Sequence, residues 1–323
     1  MLIHFGKGGK MISNLVDCSQ CGTPMQEKAQ KLVCMCGQAL EFRNKVLSLT
    51  PGDNYTQSFG EQWSQFSTTQ VDSFNGASLS EDRFFSETGW TIAELKNAVV
   101  LDLGCGSGRF TEIASRYSKF VIAVDLSSAI FAFPDDISAK QNILRIHGDI
   151  RHLPLNYSKI THVFSIGVLQ HTPDPYQTLE LLVSPLAPDT KFAFTAYGKK
   201  WFTKLQAKYI LRPITKKMDR SLLLRILRLI LKPTHRLLLT ISGIPVLGKV
   251  LKFILPLSIY PEFRKILSKN QLFEFMLLDS FDALTPSYDN PLSLRKSLRI
   301  VQHFSKEITR TSKAPMIING IRK

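Results

Sequence analysis

The sequence predicts an α/β protein built on a parallel sheet, and three observations predict it. Residues 98–103 (AVVLDL) are apolar apart from one acid, the pattern of a strand buried on both faces. That run ends in Gly104-Cys105-Gly106-Ser107-Gly108 and hands over to a helical stretch at 109–117. Such a turn brings backbone N–H groups close to a ligand. Further apolar runs at 120–124, 142–146, 160–166 and 191–196 alternate with helical segments. This rhythm implies parallel strands with the ligand site at their carboxyl ends.

Taken in chain order, the first ten residues (MLIHFGKGGK) hold no apolar core of a secretory signal, and Met11 is an alternative start. Cys18-x-x-Cys21 and Cys34-x-Cys36 follow, each pair before a glycine. Four thiolates suit tetrahedral structural zinc, so 11–50 reads as a zinc-ribbon-like segment; the other reading is four free cysteines in an irregular segment. The fifth cysteine, Cys105, reads as a small core residue. The cluster TPGDN at 50–54 marks a boundary. Beyond it, Phe59, Trp63 and Phe66 recur at helical spacing and read as an apolar face docking on the next domain. Thr91 and Glu94 match a capping box.

In the central unit, the second strand ends in Asp125, placed to accept both ribose hydroxyls of a nucleoside. The third leads to Gly148-Asp149, and the fourth to GVLQHTPDP at 167–175. After the fifth strand, the chain becomes basic. The whole chain has 323 residues and a net charge of +15. The segment 199–265 holds 16 Lys and Arg against Asp219 and Glu262, a net +14. It also holds 15 Leu and 8 Ile. In 221–232 (SLLLRILRLILK), Arg225, Arg228 and Lys232 fall on one narrow face of a helix that Pro233 is expected to end. Aliphatic content this high disfavours an RNA surface, which interleaves cations with aromatics. It favours a helical lid over the core with a solvated basic rim; the further reading is that this lid also recruits an anionic, lipid-linked substrate or an anionic membrane. Asp279, Asp282, Tyr288 and Asp289 are expected in a loop closing over that lid's substrate. A helix at 293–304 and a final antiparallel pair at 307–310 and 315–321 complete the chain.

A hydrophobic fraction of 44% with 21% charged residues excludes global disorder and collagen-like repeats. The longest uncharged apolar run, 237–248, has 12 residues, short of the roughly 18–20 that span a bilayer. The expected location is cytoplasmic, in peripheral contact with the inner face of the membrane through 199–265.

The runs VVLDLGCGSGRF, AVDLS, GDI and FSIGVLQHTPDP resemble, in order, four motifs of the class I S-adenosylmethionine-dependent methyltransferases. The flanking blocks NYTQSFGEQWSQF, EDRFFSETGW and FDALTPSYDNP resemble a bacterial subfamily with a zinc-ribbon-like leader. The resemblance implies a Rossmann-like seven-stranded methyltransferase sheet with the helical insert after its fifth strand. It implies a core at 51–198, an insert at 199–290 and terminal core elements at 291–323. It also implies that Gly104, Gly106 and Gly108 line the methionine end of the cofactor, with Asp102 in support. Asp125 would hold the ribose, Asp149 the adenine amino group, Ile150 the adenine ring, and Gly167 the reaction centre. An NAD-binding domain is the competing reading, and Asp102 just ahead of the glycines argues against it.

Methyl transfer to oxygen needs a base, and His171 stands where the acceptor should lie, with Gln170 as an orienter. The alternative is that His171 only packs or hydrogen-bonds its loop. No N-P-P-Y motif of nucleobase amino methylation is present. The expected acceptor is a small molecule or glycan, in a lipid-linked form or free. An rRNA or tRNA methyltransferase and a catalytically inactive cofactor-binding module are the alternatives.

Overall fold

The computed structural model describes residues 12–28, 31–49 and 66–323. The turn cluster at 50–54, Met11, Phe59 and Trp63 lie outside the described residues. Among the described residues, eleven strands form one sheet: β1 (Gln26–Lys28), β2 (Lys31–Val33), β3 (Ala39–Arg43), β4 (Val46–Ser48), β5 (Val99–Leu103), β6 (Phe120–Asp125), β7 (Ile143–His147), β8 (His162–Ile166), β9 (Lys191–Ala196), β10 (Ser305–Lys313) and β11 (Met316–Arg322). Their order is β1-β2-β3-β4-β7-β6-β5-β8-β9-β11-β10.

The five predicted strands, β5 to β9, pair in parallel, and β11 and β10 close one edge antiparallel. These are the seven strands expected. The count rises to eleven because the cysteine-bearing segment forms an antiparallel meander whose last strand, β4, pairs in parallel with β7. An uncovered β7 edge would leave backbone groups unpaired, and Val46 and Leu47 of β4 cover it at 0% exposure.

Helices of eight or more residues are α1 (Leu79–Thr88), α2 (Arg109–Tyr117), α3 (Pro175–Val183), α4 (Ala207–Thr215), α5 (Arg220–Ser242), α6 (Pro245–Ile254), α7 (Lys269–Leu284) and α8 (Leu294–Phe304). One face of the sheet buries Leu179, Leu182 and Val301 of α3 and α8. The other buries Phe84 of α1 with Phe110 and Ile113 of α2. The insert has its own core, in which Leu223, Leu227 and Leu231 of α5 meet Phe275 and Met276 of α7. Phe66, the described member of the aromatic face expected from the sequence, packs there too.

Pro233 does not end α5, which runs 23 residues from Arg220 to Ser242. Proline in a helix costs about 3 kcal/mol. Here Leu231 and Leu239, on either side of it, are both buried in the insert core, and that packing holds the helix together. Asp219 caps α5 by accepting from the Leu222 N–H at 2.9 Å. The capping box at Thr91 and Glu94 forms as expected.

Candidate active site

Strand order turns about β5, whose neighbours β6 and β8 lead to opposite edges. A crevice therefore opens past the carboxyl ends of β5 and β8. It is a cleft of about 510 Å³, lined on one side by the glycine turn after β5 and on the other by the insert.

Gly104 adopts φ +86°, a conformation that other residues rarely hold. A Cβ on Gly104 would lie 2.5 Å from both methyls of Val168, so the β5 and β8 turns touch at this point. Gly106 lines the cleft, and its N–H donates to Asp125 Oδ2 at 2.7 Å. Asp125 also accepts from the Ser127 N–H (2.8 Å) and hydroxyl (2.6 Å). Gly108 does not line the cleft; it caps α2 in the left-handed conformation. Asp149, Ile150 and Gly167 all line the cleft. Asp149 is gripped by Arg151, whose Nε donates to both carboxylate oxygens at 3.0 Å. Burial opposes ionisation of Asp149, but Arg151 outweighs it and lowers the carboxyl pKa.

Asp102 lies beneath the turn, 2% exposed, accepting from the Thr111 hydroxyl at 2.6 Å. Burial raises its pKa from near 4 to about 8. The folded state then holds a proton that the unfolded state has lost between those values. This group's contribution to stability therefore falls as pH rises from about 4 to about 8. Asp102→Asn should flatten that slope in denaturant melts at pH 5 and pH 8.

His171 faces the cleft from the turn after β8. Its Nδ1 lies 2.9 Å from the Tyr288 carbonyl oxygen, which only accepts. Nδ1 therefore carries the proton, and in the neutral ring Nε2 is the basic nitrogen. Gln170 is fully buried and does not line the cleft. Its amide donates to the Gly167 carbonyl at 2.6 Å and accepts from the Tyr197 N–H at 3.4 Å, so it braces the turn.

Asp279 and Asp282 line the cleft from α7, a helix where a loop was expected. The reason is a second capping box, Ser268 with Gln271, that starts α7, and a buried row of Phe275, Met276 and Leu278 that continues it. Asp289 is turned away, paired with Arg212 at 2.6 Å.

Beyond Asp279 and Asp282, the acceptor half of the cleft was not legible in the sequence. Arg109 Nη1 donates to Gln70 Oε1 (2.6 Å), and Gln70 Nε2 donates to Asp279 Oδ1 (2.7 Å). The Tyr260 hydroxyl donates to the other oxygen of Asp279. Arg83 and Arg109 both sit on the Phe110 ring, at 5.4 and 5.0 Å. Arg83 pairs with buried Glu87 at 2.7 Å. Burial, with Arg83 nearby, brings the Arg109 guanidinium down to about 10, still a cation at neutral pH. The signals in the sequence were Asp279 and Asp282, expected over the acceptor, and Arg109, immediately after the glycine turn.

At the other end of the sheet, the sulfurs of Cys18, Cys21, Cys34 and Cys36 lie within 4.8 Å of one another. Two of those approaches are 3.5 Å (Cys18 to Cys36) and 3.3 Å (Cys21 to Cys34), with no disulfide formed. Tetrahedral zinc with bonds of about 2.3 Å sets its sulfurs about 3.8 Å apart, so the donor set and spacing fit.

Parallel strands joined by helices, a glycine turn at the switch point and a terminal antiparallel pair define a Rossmann-like methyltransferase fold. Residues 101–194 match the methyltransferase domain family, so the chain carries a class I S-adenosylmethionine-dependent methyltransferase domain. Over 129 residues, 38% of this chain and 55% of the relative, it is 26% identical to a ubiquinone biosynthesis O-methyltransferase of Coxiella burnetii. Over 101 residues, 30% of this chain and 32% of the relative, it is 27% identical to a tRNA U34 carboxymethyltransferase of Desulfotalea psychrophila. The chain thus spans about half the length of the first curated relative. A solved phosphoethanolamine N-methyltransferase of Haemonchus contortus aligns over 44% of this chain and 32% of that one, at 20% identity. The TM-score of that alignment is 0.36.

Proposed function

We propose that this protein transfers a methyl group from S-adenosylmethionine to an oxygen of a small-molecule or glycan acceptor, in free or lipid-linked form. The observation that supports this reading is one continuous cleft. It runs from the Gly104–Gly106 turn, Asp125 and Asp149, past His171, to Arg83, Arg109 and Asp279. In this reading Gly104 and Gly106, with Asp102 beneath them, form the methionine end of the cofactor site, and Gly108 starts the helix behind it. Asp125 accepts from the ribose hydroxyls, Asp149 with Ile150 holds the adenine, and Gly167 borders the reaction centre. Bound S-adenosylmethionine supplies an electrophilic methyl group; the protein's work is alignment and exclusion of water.

The acceptor hydroxyl lies against His171 Nε2, which takes its proton as the oxygen attacks. The Tyr288 carbonyl holds the ring by its other nitrogen, and Gln170 positions the turn without touching the acceptor. Arg83 and Arg109 receive an anionic group of the acceptor, such as a phosphate or carboxylate. The Coxiella burnetii relative is an O-methyltransferase, which supports transfer to oxygen. The segment 199–265 would bring the enzyme to an anionic membrane surface. Among the described residues, no helix is long and apolar enough to cross a membrane.

Calorimetric titration tests the cofactor assignment. The reading expects one S-adenosylmethionine per chain and no competition from NAD; NAD binding with no response to S-adenosylmethionine would reverse it. His171→Ala should leave cofactor affinity unchanged and lower kcat by about 10²–10⁴ fold.

A further inference from the structure

We infer that the outward faces of α4 and α6, with Trp201, form a plane that docks on an anionic lipid surface. The acceptor end of the cleft opens beside that plane. Of the twenty large apolar side chains exposed among the described residues, fifteen lie between Trp201 and Ile266. On α6, Val246 (72%), Val250 (47%) and Ile254 (56%) recur four residues apart on one side. The opposite side is pressed against α5, because a Cβ on Gly248 would lie 2.3 Å from the Ser242 carbonyl oxygen. The α6 stripe is therefore turned outward. On α4, Ile210 and Ile214 are 62% and 65% exposed, while Arg212 between them is buried. Trp201, 89% exposed, meets Phe202 edge-on at 5.4 Å, and Phe202 meets Phe253 of α6 at 6.1 Å. That aromatic chain joins the approach to α4 with α6.

Charge selects the occupant. Isolated exposed aliphatics are ordinary, but a concentration of them marks a binding surface. A second copy would bring a segment of +14 against one of the same sign. Protein interfaces deplete lysine at their cores, and single-stranded RNA is held on aromatic platforms. Aliphatic side chains flanked by exposed Lys204, Lys216 and Lys249, with a tryptophan at the edge, match an anionic bilayer interface.

The cleft meets this plane at its rim. Gln206 and Lys208 at the start of α4, and Lys252 and Leu255 at the end of α6, line its acceptor half. On the proposed methyl-transfer reading, on which this step rests, the acceptor is an amphiphile. Its apolar part stays in the bilayer while its anionic head reaches Arg83 and Arg109.

The test uses the full chain with vesicles of phosphatidylcholine alone and of equal parts phosphatidylcholine and phosphatidylglycerol. The chain should co-sediment with the anionic vesicles, less so at high salt. Val250→Glu with Ile254→Glu, both at exposed positions, should weaken that binding by about tenfold or more. Tryptophan emission should shift to the blue on binding, and Trp201→Phe should remove the shift. With a membrane extract as acceptor source, the double variant should methylate less at unchanged S-adenosylmethionine affinity. Negligible binding to both vesicles, binding unchanged by the double substitution, or a dimer that the same substitutions dissociate would overturn docking. Equal methylation by the double variant would overturn entry from the membrane. Vesicle binding by a chain that fails to bind S-adenosylmethionine would separate failure of the methyl-transfer reading from failure of this one.

Discussion

Gly104→Ala is expected to abolish measurable S-adenosylmethionine binding while leaving the chain folded. The backbone at Gly104 has φ +86°, which costs a residue with a side chain about 1–3 kcal/mol. The added Cβ must also displace Val168, both of whose methyls would lie 2.5 Å from it. Val168 has little freedom to yield, since a β-branched side chain has few rotamers. Relief therefore comes from the backbone, by moving the β5 turn away from the β8 turn. That movement disturbs Gly106, whose N–H is tied to Asp125, and Gly167, which leads into the His171 turn. Thermal unfolding should shift by only several degrees, at about 2–4 °C per kcal/mol for a domain of this size. Calorimetry and a melt on the same sample distinguish the two effects: full cofactor affinity in the variant would remove the glycine turn from the site.

Zinc removal is expected to have the second large effect. Structural zinc contributes about 10–16 kcal/mol to the folding of small domains whose site does not preform. Here four cysteines converge beside a meander of strands of three to five residues. Such strands hold little core of their own. The chain purified without chelator should carry one zinc by elemental mass spectrometry. Cys34→Ser, or a strong chelator, should remove it and lower the first unfolding transition. The loss should reach the active site as well. The Leu49 N–H donates to the His147 carbonyl at 2.9 Å, and Leu49 packs 3.2 Å from where a Cβ on Gly148 would stand, next to Asp149. Cofactor affinity is therefore expected to fall with the zinc. A metal-free chain with unaltered melting and affinity would contradict this.

The central strands were legible because burial on both faces writes a continuous apolar run, and the glycine turn punctuates it. Cofactor-side positions followed, since Asp125 and Asp149 end or follow such runs. The joining of the N-terminal segment to the sheet was not legible: β1, QEK, is exposed, half-buried and exposed, and carries no apolar period. The continuation of α5 through Pro233 was hidden because local propensity says stop, while Leu239 is held by residues far along the chain. The partners of Asp279 in the acceptor half were hidden for the same reason. Gln70 and Asp279, in hydrogen-bond contact, are 209 residues apart, and no local pattern brings them together.

The central claim is that a methyl group passes through the cleft to an oxygen of a small or lipid-linked acceptor. The most direct test supplies the purified chain with methyl-labelled S-adenosylmethionine and fractionated cell extract, then follows the label. The account predicts label in the small-molecule or lipid-linked fraction, as a methyl ether or ester, with His171→Ala greatly reducing it. Label in RNA, or cofactor binding with no transfer to any fraction, would contradict the account.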